Sequence, residues 1–139
     1  MTVVVDASVV IKWLLQDPEH EADTDKATRL MQSVALGDQV ALQPVHWLAE
    51  VGAVLSRQSA ETAADDVSML CGLELPISDD PLVLRRGVEL ATELKQHLFD
   101  TYYHAVALET PDAILITADE RYLRVARDKG RIVHLADWA

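Results

Sequence analysis

The chain has 139 residues, room for one domain and too little for two. Half of them are hydrophobic and a quarter are charged. This is the ordinary balance of a soluble globular protein. No apolar run reaches membrane-spanning length and no basic-then-apolar leader opens the chain, so no membrane and a cytoplasmic location are expected. A single cysteine, Cys71, excludes an internal disulfide framework and any multi-cysteine metal site. Twelve Lys and Arg stand against 23 Asp and Glu, a formal net charge of −11. That balance argues against gripping nucleic acid by bulk charge. Either the carboxylates are solvated surface, or some converge and require cations.

There is no repeat, low-complexity tract or linker-like shift, so residues 1–139 read as one continuous domain. A β-branched run over 2–5 ending at Asp6 predicts a buried first strand. Residues 8–15 read as a short helix closed by Asp17-Pro18. A longer polar-faced helix follows over 19–36 and stops at Gly37-Asp38. Residues 39–42 predict a second strand, and Pro44 lies near the start of a helix running to about Gln58. A further helix covers 62–73, with a weak third strand at 75–77. Ser78, Asp79 or Asp80 is placed to cap the next helix, with Pro81 at its first position and its end near Lys95. Residues 100–108 predict another helix, ended by the Thr110-Pro111-Asp112 turn. Residues 113–117 make the second clear buried strand, 119–129 the last helix, and 131–134 a closing strand after Gly130. Strands alternating with helices predict an α/β three-layer sandwich, a parallel sheet of four to five strands with helices on both faces. Such sheets bind ligands at the carboxyl ends of their strands, near a topological switch point.

The two best strands both run into an aspartate, Asp6 and Asp119. If both are central and parallel, these acids share one pole. Ser8 and Thr117 flank them, with hydroxyls able to hold a carboxylate rotamer or carry a water. A lone strand-end Asp is more simply an N-cap or turn residue; two on neighbouring strands are harder to dismiss. Glu50 falls about 40° outside Val54 on a helix whose apolar stripe is Trp47, Leu48, Val51, Val54 and Leu55. It is either a snorkelling Glu or a partly desolvated one that wants a cation. Asp100 lies about 20° beyond Ala107, at the edge of a face formed by Phe99, Tyr102, Tyr103, Val106 and Ala107. It is a cap or a ligand. Four converging acids would repel if unpaired; hard divalent cations with oxygen ligands make such a group sensible.

Four segments resemble the PIN domain family. They are Val-Val-Asp-Ala-Ser at 4–8, Pro-x-x-x-x-x-Glu over Pro44 and Glu50, Phe-Asp-x-x-Tyr-x-Ala over 99–105, and Thr-Ala-Asp at 117–119. Thr101 departs from the alanine the family often carries. The resemblance spans essentially the whole chain and is closest in length to the VapC-type toxins of bacterial and archaeal toxin–antitoxin pairs. It implies a PIN-like fold and a divalent-metal-dependent endoribonuclease. Asp6, Glu50, Asp100 and Asp119 would hold one or two Mg²⁺ or Mn²⁺ ions, and Ser8 and Thr117 would occupy the small polar positions beside them. It further implies an RNA substrate, a cognate antitoxin and a homodimer.

Arg121, Arg124 and Arg127 recur every three residues after Asp119, with Lys129 and Arg131 beyond, and Lys12 follows Asp6. They are either phosphate contacts or, for the last helix, a solvated face paired with Glu120 and Asp128. The five histidines, His20, His46, His97, His104 and His134, show no zinc spacing, and His46 reads as solvent-exposed despite standing four residues before Glu50. Asp112 opens its strand at the opposite pole. Cys71, among Met69, Leu70 and Leu73, reads as a buried packing thiol. Trp13 and Trp47 read as core, with a part-exposed Trp13 as a possible partner contact. Two other classes remain open: a non-catalytic PIN-like RNA- or protein-binding module, and a receiver-like phosphoacceptor domain. The second leaves Glu50 and Asp100 unexplained. A phosphatase of the haloacid dehalogenase type is poorer still, because Ser8 stands where its second Asp belongs.

Overall fold

A computed structural model describes residues 1–15 and 22–138. The expected Asp17-Pro18 break, the start of the 19–36 helix and His20 lie outside the described residues. Four strands, β1 (Thr2–Val5), β2 (Val40–Ala41), β5 (Ala113–Thr117) and β6 (Ile132–His134), form one parallel sheet in the order β2-β1-β5-β6. A separate two-stranded pair joins β3 (Gln43–Pro44) to β4 (Ile77–Ser78), also in parallel. Helices α1 (Ala7–Leu14), α2 (Thr24–Ala35), α3 (Trp47–Gln58), α4 (Ala63–Gly72), α5 (Pro81–Leu94), α6 (Leu98–Glu109) and α7 (Glu120–Ala126) complete the three-layer α/β arrangement.

The sheet forms because its strands are apolar on both faces: Val3, Val4, Val5, Leu115 and Ile116 are fully buried, as parallel strands covered by helices must be. Successive strands leave β1 in opposite directions, β2 to one side and β5 to the other. The switch point therefore falls between β1 and β5, where Val5 pairs with Ile116 and the Asp6 N–H donates to the Ile116 carbonyl at 3.0 Å. Both expected strand-end acids leave the sheet at this pole. Asp112 precedes β5 and so sits at the other end.

The predicted strand over 39–42 is shorter and split. β2 follows β1 only as far as the Leu42 N–H, which donates to the Val3 carbonyl at 2.9 Å; the Gln43 N–H then turns to the Pro76 carbonyl, also at 2.9 Å. Pro44 has no N–H to continue a ladder beside β1.

Helix α6 is the buried spine. Thr101 through Ala107 are all buried, because the helix packs on β1, β3 and β5 on one side and on α5 on the other. Thr101, the departure from the family alanine, donates from Oγ1 to the Gly87 carbonyl at 2.8 Å. The α5–α6 approach is close there: a Cβ on Gly87 would meet Leu98 Cδ1 at 3.2 Å. His104 is a core residue, bonded through Nε2 to the Gly130 carbonyl (2.8 Å) and through Nδ1 to the Tyr122 hydroxyl (2.9 Å).

Three expectations about burial are corrected. Cys71 is exposed, since α4 turns only Ala63 and Leu70 fully inward and Cys71 is one residue, about 100°, off that line. Phe99 is 47% exposed, because it stands in the first turn of α6, beyond the layer its helix packs on. Trp13 is 4% exposed and Trp47 2%, which leaves no part-exposed Trp13 for a partner.

Candidate active site

Asp6 is both a helix cap and a pole acid. As N-cap of α1, its Oδ2 accepts the Ser8 N–H at 3.1 Å and the Ser8 hydroxyl at 2.5 Å. The Thr117 hydroxyl approaches the same oxygen at 3.4 Å. Ser8 Oγ in turn accepts the Ala118 N–H at 3.0 Å, and Thr117 Oγ1 accepts the Asp119 N–H at 3.0 Å. These two hydroxyls tie the end of β1 to the loop after β5. Asp119 caps α7 by accepting the Tyr122 N–H on Oδ1 at 3.0 Å. Capping thus takes one oxygen of each aspartate. Among the described residues Asp6 Oδ1 and Asp119 Oδ2 accept no hydrogen bond, so the cap and ligand readings are compatible rather than rival.

The helix-borne acids are held differently. Glu50 Oε1 accepts the Tyr103 hydroxyl at 3.0 Å, and Oε2 lies 3.9 Å from His46 Nε2. His46 is not solvent-exposed as expected. Its ring packs against Phe99, Tyr102 and Tyr103, and its Nε2 hydrogen bonds to the Phe99 carbonyl at 2.9 Å. Burial lowers its pKa, favouring the neutral ring. Asp100 is not a cap. Helix α6 begins two residues earlier than expected, and His97 caps it by accepting the Phe99 N–H on Nδ1 at 3.0 Å. That leaves the Asp100 carboxylate without a hydrogen bond among the described residues.

All four acids line one groove of about 620 Å³, walled by α1 (Ala7, Ser8, Ile11, Lys12), α3 (Ala53, Val54, Arg57, Gln58), Phe99 and Ala118. Their charges act on one another. Burial first, then Asp100 and Asp119, push Asp6 up to about 6 against the opposing Ser8 hydrogen bonds. Burial, then Asp6, push Glu50 up to about 7, with Asp100 adding to the rise and the Tyr103 bond opposing it. Burial and then Asp119 also raise Asp100. Four oxygen-only donors, three of them (Asp6, Glu50 and Asp100) with their ionised forms disfavoured, are suited in chemistry to a hard divalent cation. No group of three or more His, Cys, Asp or Glu among the described residues is arranged as a ready-made metal site. The acids share a groove without being drawn to a common point.

Of the basic residues singled out in the sequence, Lys12 is buried in the wall of this groove, and Arg121 lines a smaller cleft that shares Asp100 and Asp119 with it. Arg124 and Arg127 line a different hollow, with Glu120, His134 and Asp137; the fold does not bring them to the acids.

Gln43 was not foreseen. It is fully buried, and its side-chain amide stands in for the strand that has left β1: Oε1 accepts the Val5 N–H and Nε2 donates to the Val5 carbonyl, both at 2.8 Å. It thereby secures the residue immediately before Asp6. A glutamine beside Pro44 at the end of an apolar run is the only trace of this in the sequence.

An α/β domain whose parallel sheet collects carboxylates at its switch point is the class that fold and groove define. The chain belongs to the PIN domain family, whose model matches residues 3–128. A search of curated proteins finds no significant match. Among solved structures, the chain is similar to VapBC2 from Rickettsia felis, solved bound to a DNA fragment from their promoter, at 16% identity, covering 96% of this chain and 98% of that one, TM-score 0.69. It is also similar to VapBC-1 from nontypeable Haemophilus influenzae, at 17% identity, covering 99% and 100%, TM-score 0.67. At that identity the likeness establishes the fold.

Proposed function

We propose that this protein is a divalent-cation-dependent endoribonuclease of the VapC type, the toxin of a toxin–antitoxin pair, acting in the cytoplasm. The observation that carries the reading is the convergence of Asp6, Glu50, Asp100 and Asp119, from four separate segments, on one groove at the sheet's carboxyl pole. Membership of the PIN family sets aside the receiver-like and haloacid dehalogenase readings. The similarity to VapBC folds supports an antitoxin partner, and a homodimer is proposed with it.

In this reading the four carboxylates would hold Mg²⁺ or Mn²⁺, which when bound would supply an activated water and neutralise charge on the phosphate and leaving oxygen. The chain's own residues do the positioning. Ser8 and Thr117 fix the Asp6 rotamer through Oδ2 and leave Oδ1 without a hydrogen bond among the described residues. The Tyr103 hydroxyl, kept protonated by burial that raises its pKa, orients Glu50 by donating to Oε1. Lys12 offers positive charge to a backbone phosphate from the α1 wall. No single carboxylate is assigned as general base.

Cleavage of mixed structured RNAs by antitoxin-free protein, with Mg²⁺, Mn²⁺ or EDTA and with Asp6→Asn in parallel, tests the proposal. Metal-dependent cleavage that Asp6→Asn abolishes is expected. The separation of the acids in the absence of a ready-made cluster favours one second reading, a PIN-like binding module; RNA binding with no cleavage under any metal would select it.

A further inference from the structure

We infer that Lys95, His97 and Arg121 form a phosphate-binding subsite beside the acidic groove, which takes an RNA backbone phosphate next to the one that is cut; the inference rests on the nuclease reading above. These residues line a cleft of about 190 Å³ together with Gln96 and Tyr122, and the cleft shares Asp100 and Asp119 with the groove. The two hollows meet at those acids, so a strand crossing the acids from the groove enters this cleft.

Three observations point to a ligand rather than a solvated surface. First, neither Lys95 nor Arg121 has an ion-pair partner among the described residues, while Arg29, Arg85, Arg86 and Lys129 are each paired with a carboxylate. Arg57, Arg124 and Arg127 likewise lack a carboxylate partner among the described residues, but Lys95 and Arg121 stand in a cleft that also holds Asp100 and Asp119, where Arg121 and His97 already act on Asp100. Second, His97 Nδ1 is taken by its capping bond from the Phe99 N–H, so the neutral ring carries its proton on Nε2 and offers a donor. Third, Lys95 caps α5 in the left-handed region, at φ 56°. Glycine is the favoured residue there, and a lysine adopts it at a cost. Of the five non-glycine residues in that region among the described residues, Lys95 is the one on this cleft, and strained positions collect at functional sites.

The cap supplies the decisive variant, because Lys95→Gly removes the ammonium and relieves the backbone together. Affinity for a mixed-sequence 12-nucleotide single-stranded RNA is measured by fluorescence anisotropy across a salt series, with Ca²⁺ as the divalent ion. Lys95→Gly/Arg121→Ala is expected to hold or raise Tm, weaken binding about ten-fold at moderate salt, and flatten the salt slope by about 0.7 per lost phosphate contact. Mn²⁺ affinity by calorimetry stays equal or tightens, and Arg85→Ala, on the paired outer face of α5, leaves RNA binding unchanged. RNA affinity and slope within two-fold of the parent protein's overturn the subsite. The same RNA result with loss of binding to an acidic dodecapeptide also overturns it, and assigns the cleft to a protein partner. A parent protein that binds Mn²⁺ but no RNA overturns the nuclease reading, and the subsite with it.

Discussion

The strand-end acids and the helix-borne acids reach the same groove by opposite routes. Asp6 is buried, its Oδ2 approached by one N–H and two hydroxyls, and the hydroxyls in turn accept N–H groups from the neighbouring strand's exit. Asp100 is half-buried with no side-chain bond, and Glu50 is held by one phenol. Each strand-end acid sits at the N-terminus of the helix that follows, whose first-turn N–H groups lock a short side chain, whereas the helix-borne acids lie inside or at the border of their helices with little to hold them. One pair of carboxylates is thus pre-organised, and the other is free to adjust when charge arrives between them.

The largest expected effect tests the rigid half. Asp6→Asn retains the α1 cap, since Asn caps as well as Asp, and should lose metal-dependent cleavage by about 100-fold or more while Tm stays near that of the parent. A matching collapse in Tm would mean that Asp6 matters to the fold rather than to the groove. Next comes Gln43→Leu, which leaves the Val5 N–H and carbonyl buried and unpaired. It should cost about 2–4 kcal/mol in urea unfolding; a cost under about 1 kcal/mol would show that the amide does not anchor the pole.

The adjustable half predicts smaller changes. Tyr103→Phe frees Glu50 from its one hydrogen bond and should weaken Mn²⁺ binding by about ten-fold, as loss of a ligand's outer partner does, with little change in unfolding free energy. Thr117→Val should do less, because Ser8 still holds Asp6 Oδ2; an equal or larger loss would invert the comparison.

The smallest effect is in pH. Asp6 rises to about 6 and Glu50 to about 7 in the fold, above their ordinary values of 3.8 and 4.5. The folded state therefore keeps protons that the unfolded chain has released. The stability these two groups contribute is complete below about pH 4 and is lost as pH climbs through 6 to 7. A bound divalent cation should offset that loss. Mn²⁺ is accordingly expected to raise Tm by about 2–5 °C more at pH 7.5 than at pH 5.5, and the difference should vanish in Asp6→Asn/Glu50→Gln. An equal rise at both pH values would separate metal binding from these two acids.

What the sequence by itself determined is local. The β-branched runs into Asp6 and Asp119, the borders of helical stripes at Glu50 and Asp100, and Pro81 at the start of α5 are each decided within a few residues, and repeated alternation carries that to a parallel sheet. Tertiary structure decided everything that depends on a distant partner. Cys71 is outside because only Leu70 and its line meet another element. His46 is half-buried because Phe99, Tyr102 and Tyr103, more than fifty residues on, pack against its ring. Asp100 is released from capping because His97 does that work. Lys95 and Arg121 come to one cleft only through the fold. Gln43 shows the limit most plainly: nothing within its own segment calls for a buried amide, because the groups it satisfies belong to a strand 38 residues earlier, left bare when β2 turns away.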